Sequence, residues 1–184
     1  MTTTGSKLTD ATKAMIGLEG EFVEASWWIV EKEGLRRFSQ AVMDPDPRFW
    51  DEEFARNTRY GEIVTPGIYV TYLGKTPPWR EDPVARAYRQ DPCSDGRDYD
   101  DVRPRGALPP VRTELERTLN AGNDIEILQY PSLGDRIYAQ SRYGNIEERV
   151  GRDGSHMLIT TTETLHYNQR GDLLCITRGS GIRR

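Results

Sequence analysis

Residues 43–51 read Met43-Asp44-Pro45-Asp46-Pro47-Arg48-Phe49-Trp50-Asp51, and Gly61-Glu62-Ile63-Val64-Thr65-Pro66-Gly67 follows soon after. Each proline fixes its own φ and pushes the residue before it out of the helical region, so no helix passes through Pro45 and Pro47. Upstream, Leu35, Phe38 and Val42 fall at i, i+3 and i+7. That spacing predicts a helix over 31–42 with one apolar stripe, ending at the prolines. Downstream, Asp51, Glu52 and Glu53 lead residues 50–57, where negative charge suits the start of a short helical turn. In the second stretch Thr65 suits an N-cap, Pro66 a first helical position and Gly74 a stop. These signals predict an apolar helix between them, although its β-branched and aromatic middle also suits a strand.

Further out the chain turns to β. Residues 19–30 are rich in β-formers and predict a strand. Residues 123–130, 136–146, 156–167 and 173–182 predict four more, separated by turns at 131–135, 151–154 and 168–171. Strand, helices and then a run of antiparallel strands is an α+β pattern, with the apolar helix as the buried one. One domain covers 1–184, with 1–14 as a tail that begins frayed. Residues 75–112 break the pattern. They hold Pro77, Pro78, Pro83, Pro92, Pro104, Pro109 and Pro110 among dense Arg and Asp. The stretch is too long for an ordinary connection, so it is either a surface excursion or a lid, with Trp79, Tyr88 and Tyr99 available to pack.

Composition removes several function classes. The net charge is −4, and the arginines alternate with acids rather than forming a cationic face, which argues against nucleic acid. No apolar run approaches the ~18–20 residues that span a bilayer, and the first residues lack the apolar core of a secretory signal. A cytoplasmic protein is expected, with no membrane partner. Cys93 and Cys175 form no metal-ligand spacing and read as free thiols, and no metal is expected.

Four places carry a family resemblance. Phe38-Ser39-Gln40-Ala41-Val42-Met43-Asp44-Pro45-Asp46-Pro47 is similar to a helix end followed by a "D-P-N-P" turn, with Asp46 for Asn. Trp50-Asp51-Glu52-Glu53-Phe54-Ala55 with Arg59-Tyr60-Gly61-Glu62-Ile63-Val64 is similar to "W-D-E-E-x-A … R-Y-G-G-I-V". Asn120-Ala121-Gly122 with Gly134-Asp135 is similar to "H-A-G … G-D", with Asn120 for His. Asn168-Gln169-Arg170-Gly171-Asp172-Leu173 is similar to "N-Q-R-G-E-L". In this order they resemble the MaoC-like dehydratase N-terminal family, also called the FAS1-like dehydratase domain. The resemblance implies a single hot dog fold, an antiparallel curved sheet wrapped around a central helix.

The same resemblance implies hydration of enoyl thioesters of coenzyme A or acyl carrier protein, or the reverse dehydration, with no cofactor beyond that carrier. Active members of the wider fold place a His five positions after an Asp. Here Asp44 holds the Asp position and Phe49 the His position, and a phenyl ring cannot accept a proton. The catalytic candidates left are Asp44 and Asp46. Their mutual repulsion could raise one pKa, or both could simply cap a turn. His156 and His166 lie in strands and read as structural or surface residues, His166 on the sheet's outer side. Phe49, Trp50, Thr65, Gly67 and Ile68 are the substrate-binding candidates. Gly67 or the next residue would offer its N–H to the thioester carbonyl, since Pro66 has none; close packing is the competing role for Gly67. Three functions follow. The chain is a subunit that shapes the acyl pocket for a catalytic MaoC-like partner, a self-sufficient hydratase or dehydratase using Asp44 or another base, or a non-catalytic acyl thioester-binding protein. All three imply a homo-oligomer or a heteromer, because a lone hot dog leaves a sheet edge open.

Overall fold

A computed structural model describes residues 5–26, 28–73, 81–93 and 106–184. The elements run α1 (Asp10–Lys13), β1 (Val23–Glu24), α2 (Lys32–Ala41), a 3-10 turn at Pro47–Phe49, α3 (Glu52–Arg56), α4 (Tyr69–Leu73), α5 (Pro83–Gln90), β2 (Thr118–Ile127), β3 (Tyr138–Val150), β4 (His156–Tyr167) and β5 (Leu173–Arg183). The strands form one antiparallel sheet in the order β1-β3-β4-β5-β2. The hot dog architecture and the α+β class are therefore as the sequence predicts.

The sheet has two unlike faces because side chains alternate along each strand. Register places Val23, Ala139, His166, Cys175 and Ile127 in one cross-strand row. This row belongs to the concave face, since Gly67 lies against Ile127 and Ile125. The outer face carries a charge lattice in which Arg178 binds Glu163, Asp124 and Glu126, and Arg142 binds the same Glu163.

Two separate apolar clusters close the concave face. In the first, Ile63, Val64, Tyr69 and Val70 pack with Leu35 and Phe49 onto Ile137, Leu174 and Cys175. In the second, Val111 packs with Leu8, Met15, Leu108 and Leu115 onto Tyr143, Ile146 and Leu158. The central helix thus covers only one end of the sheet, and residues 5–16 and 106–116 cover the other. Gly20 and Gly106 let those two segments cross. A Cβ on Gly20 would stand 2.6 Å from the Gly106 carbonyl oxygen, and Gly106 itself sits at φ 81°. No helix among the described residues is long and apolar enough to cross a membrane.

Several sequence expectations change. The strand over 19–30 shrinks to Val23–Glu24 plus a bridge from Glu19 to Arg142. The pairing along β3 is four residues against three between these points, and the close crossing at Gly20 breaks the ladder there. Thr65 does not cap a helix: its N–H donates to Pro131 O, Val64 bridges Ser132, and α4 starts only at Tyr69. Extended pairing to the loop after β2 holds the backbone out of helical geometry. Gly74, the expected stop, lies outside the described residues, as do Trp79, Tyr99 and the rest of 75–80 and 94–105 in the Pro-rich excursion. Within that excursion α5 is helical and buries Ala87. In α2 the inward residues are Leu35, Phe38 and Ser39, while Val42 is exposed because the helix ends at Ala41.

The described part of the expected tail, residues 5–14, is held against the sheet. Thr9 caps α1, and the Glu148 carboxylate accepts from Ser6 Oγ, from the Lys7 N–H at 2.9 Å and pairs with His156. These bonds hold the Glu148 carboxyl down at about 2, from 4.5. A depressed acid stabilises the fold fully above its unfolded value, so this clasp is complete above pH 4.5 and weakens as pH falls towards 2. Glu148→Gln is expected to speed backbone amide exchange over residues 6–16 while β3 to β5 stay protected. Unchanged exchange in that segment by mass spectrometry would mean that the apolar contacts of Leu8 and Met15 hold it alone.

Candidate active-site groove

The end of α2 delivers Met43 and Asp44 to the surface. The helix cannot continue into Pro45, and Asp44 N–H folds back onto Ser39 O at 2.9 Å. Reversal at this point puts Met43 in the left-handed region at φ 53°, with 86 % of its surface exposed. Asp44 then accepts from the Asp46 N–H at 3.1 Å, a one-carboxylate turn. Asp46 caps the 3-10 turn by accepting from the Arg48 N–H, and its carboxylate is clamped by the Arg48 guanidinium at 2.9 and 3.0 Å. The Arg48 hydrogen bonds hold the Asp46 carboxyl below the usual range. The upward shift that repulsion from Asp44 could have produced is therefore not found at Asp46.

Phe49 and Trp50 point opposite ways. Phe49 is 5 % exposed, inside the first apolar cluster and edge-on to Tyr130 at 6.5 Å. Arg48 covers both rings, 5.4 Å from the Phe49 centroid and 5.7 Å from that of Tyr130. The side chain at the family's His position is thus sealed under a guanidinium. Trp50 is half exposed and lines a groove of about 510 Å³ with Asp44, Ser39, Gln40, Met43, Pro45 and Arg36. Arg36 is tied to Glu33 and to Gln40 Oε1, and the buried Ser39 Oγ has no hydrogen-bond partner. Of these, Arg36 had no motif to reveal it. Its only signal was helical spacing, since Arg36, Gln40 and Met43 share one side of α2.

The remaining candidates stand apart from that groove. Thr65 is fully buried with an unpartnered Oγ1. Gly67 is buried against Ile127, where an added Cβ would stand 2.5 Å from the isoleucine Cδ1. Ile68 is 47 % exposed. Asn120, at the family's other His position, is exposed on β2 and accepts from the Gly122 N–H at a bulge. Asp135 and the 168–171 hairpin, far apart in sequence, meet: buried Asp135 accepts from the Ser132 N–H at 2.9 Å and from Gln169 Nε2 at 3.2 Å. Cys93 and Cys175 are both free. Among the described residues no cluster of His, Cys, Asp or Glu could hold a metal ion.

His166 corrects an expectation. It is 5 % exposed on the concave face, not the outer one, with Nε2 3.0 Å from Thr177 Oγ1 and Nδ1 without a partner. β4 pairs with β3 residue for residue at this end, so alternation puts His166 on the same face as Ala139 and Thr164. Burial pushes its pKa down from 6.5 to about 4.

The comparisons with known proteins agree with this architecture. The family described as FAS1-like, dehydratase domain region, matches residues 14–177. The chain belongs to this family. No curated protein sequence matches it. Among solved structures, it is similar to the HadBC (3R-hydroxyacyl-ACP dehydratase) complex of Mycobacterium tuberculosis, with a TM-score of 0.56, 19% identity, and coverage of 91% of this chain and 96% of that one. It is similar to the ChsH1-ChsH2 complex of Mycobacterium tuberculosis, with a TM-score of 0.64, 9% identity, and coverage of 93% and 85%. It is also similar to the MaoC-like dehydratase of Rhodospirillum rubrum, with a TM-score of 0.53, 19% identity, and coverage of 90% and 92%. At these identities the likeness is one of fold.

Two outcomes follow from the geometry. A histidine whose folded pKa lies below its unfolded one stabilises the protein above the unfolded value and loses that contribution as pH falls. Stability is expected to drop by up to roughly 3 kcal/mol between pH 6.5 and 4, and His166→Gln should flatten that drop; urea titration at stepped pH checks both. Left-handed backbone disfavours a side chain with a Cβ, and the looser unfolded state of glycine offsets part of the gain. Met43→Gly is therefore expected to raise stability by about 0.5–1 kcal/mol, read from the shift in urea midpoint.

Proposed function

We propose that this chain is the pocket-shaping subunit of a MaoC-like enoyl thioester hydratase or dehydratase, acting with a partner that carries the proton-transferring pair. The observation that carries the reading is Phe49. It occupies the family's His position, cannot accept a proton, and is buried beneath Arg48 against Tyr130.

Water addition to an enoyl thioester needs a base to take a proton from water, bonding of the oxygen to the β carbon, and return of a proton to the α carbon. Enolate charge collects on the thioester oxygen meanwhile and needs a donor. Loss of one acid–base residue typically costs ~10²–10⁴ in rate. No histidine lines the groove, Asp46 beside it is clamped by Arg48, and Asp44 is the one carboxylate among its lining residues. The backbone N–H groups of Gly67 or Ile68 remain the donor candidates for the carbonyl. Thr65, Gly67 and Ile68 would then border the bound acyl group, and Trp50 the entrance by Asp44.

An open sheet edge supports assembly. Strand β2 pairs only with β5, and all of its residues but Ile125 are exposed, including Leu119 and Ile127. Such an edge invites pairing with another chain. HadBC and ChsH1-ChsH2 are each complexes of two proteins, which makes a hetero-partner the natural form of this proposal. A cytoplasmic location belongs to the same reading and is supported by two free thiols.

A second reading keeps one supporting observation. Asp44 stands in an open groove beside Trp50, so it could act as a lone base. Stopped assays separate the two. The homogeneous chain should hydrate neither crotonyl-CoA nor longer enoyl-CoA above background, and turnover should appear when a MaoC-like protein with an intact Asp/His pair is added. Turnover by the lone chain that Asp44→Asn abolishes would overturn the partner reading in favour of the second.

A further inference from the structure

Between Cys175 of the first apolar cluster and Leu158 of the second, the concave positions of β4 and β5 carry His166, threonines and glycines and no apolar side chain, although Tyr143 and Ile146 of the second cluster flank them on β3. Three successive cross-strand rows supply Ser141, Thr164 and Thr177, then Thr162 and Gly179, then Thr160 and Gly181. These residues are partly exposed although they sit on the three middle strands of the sheet. Positions that only had to be buried would carry apolar side chains, as Tyr143, Ile146 and Leu158 do beside them. Hydroxyls in that position lose hydration when covered and need partners. Ser141 Oγ and Thr164 Oγ1 find each other at 2.9 Å.

At the closed end of this floor stands His166. Its side chain is directed along the floor, with Nε2 on Thr177 Oγ1 at 3.0 Å. It is 5 % exposed, and its Nδ1 is buried without a partner among the described residues. A buried polar atom left unpaired is costly and calls for a reason. Neutral imidazole gives one nitrogen as donor and the other as acceptor, so the pair with Thr177 can present either role to an incoming oxygen.

The floor also reaches the thioester end of the proposed site. A Cβ on Gly67 would stand 3.7 Å from Ile125 Cδ1, and Ile125 pairs with Thr177, which pairs with Thr164. Two interstrand steps of 4.7–4.9 Å put Thr164 and the His166 ring about 10 Å inward from the edge strand. We propose that this floor seats the acyl body and that His166, with Thr177, is a specificity residue that reads an oxygen function carried on the acyl chain remote from its thioester. The substrate class is thus an oxygenated acyl thioester, hydroxylated or ketonic, rather than a plain alkyl one; this rests on the acyl-thioester reading above.

The chain has only two histidines, which makes the test direct. With ¹⁵N-labelled histidine and His156→Gln for assignment, the full-length chain is titrated with decanoyl-CoA and with ω-hydroxydecanoyl-CoA. The hydroxylated ligand should move the His166 ring nitrogens saturably and leave His156 still, and decanoyl-CoA should move neither. By calorimetry the hydroxylated ligand should bind about tenfold tighter, the worth of one buried hydrogen bond. Thr177→Val, close in shape, should remove that margin without weakening decanoyl-CoA; it also covers the case in which His166→Phe does not fold. If both ligands bind and His166 responds to neither, or equally to both, the specificity role is overturned while acyl binding stands. If neither ligand binds, the acyl-thioester reading falls and this inference with it.

Discussion

A curved antiparallel sheet has a concave face that must be covered, and among the described residues the apolar helix covers only part of it. α4 spans Tyr69–Leu73, enough for one end of the sheet. The other end is closed by residues far apart in sequence: Leu8 and Met15 from the N-terminal segment, and Leu108, Val111 and Leu115 from the stretch before β2. Glu148 fastens the first of these segments, and the close crossing of Gly20 with Gly106 fits them past one another. Splitting the cover leaves Thr160, Thr162, Thr164 and Thr177 of β4 and β5 partly exposed beside the second cluster. The candidate acyl seat is therefore a consequence of how the core is closed rather than a separate construction.

The same economy shapes the groove at the end of α2. The turn is kept, with its prolines, its capping carboxylates and its reversal of direction at Met43. On the proposed reading the chemistry is not kept. Phe49 has become part of the first apolar cluster, and Arg48 satisfies Asp46 while lying over two aromatic rings. Electrostatics point the same way: an aspartate whose pKa is held down by a guanidinium stays ionised and cannot hand on a proton near neutral pH. The partner reading proposed above takes proton transfer from another chain, and the exposed β2 edge is the surface it would use.

Much of this was legible in the residues. The strand of 156–167 and its turns were readable because Ile159, Thr160, Thr161, Thr162 and Thr164 cluster between the turn glycines Gly154 and Gly171. The stop at Pro45 and the acid-led α3 were fixed by backbone chemistry. What the letters could not give were the contacts between distant segments. Asp135 and Gln169 looked like motif residues of unknown role, and they prove to hold a buried turn together. Ser39 replaced Val42 on the inward stripe because the helix ended one residue earlier than the pattern suggested. The faces of β4 could not be assigned, since the concave side is settled by a distant contact, Gly67 against Ile125 and Ile127, carried to β4 by the register through β5. Thr65 had every mark of a cap, and long-range pairing with the Pro131–Ser132 loop overrode it. The family turn was recognisable, yet whether Phe49 lined a pocket or filled a core was a matter of packing alone.

The central claim is that this chain holds the acyl group while another chain moves the protons. Photo-cross-linking in the assembled complex tests it most directly, using an acyl-CoA with a diazirine midway along its chain. The account predicts adducts on the concave strands β4 and β5 of this protein, around Thr164 and Thr177. Adducts confined to the partner would contradict it.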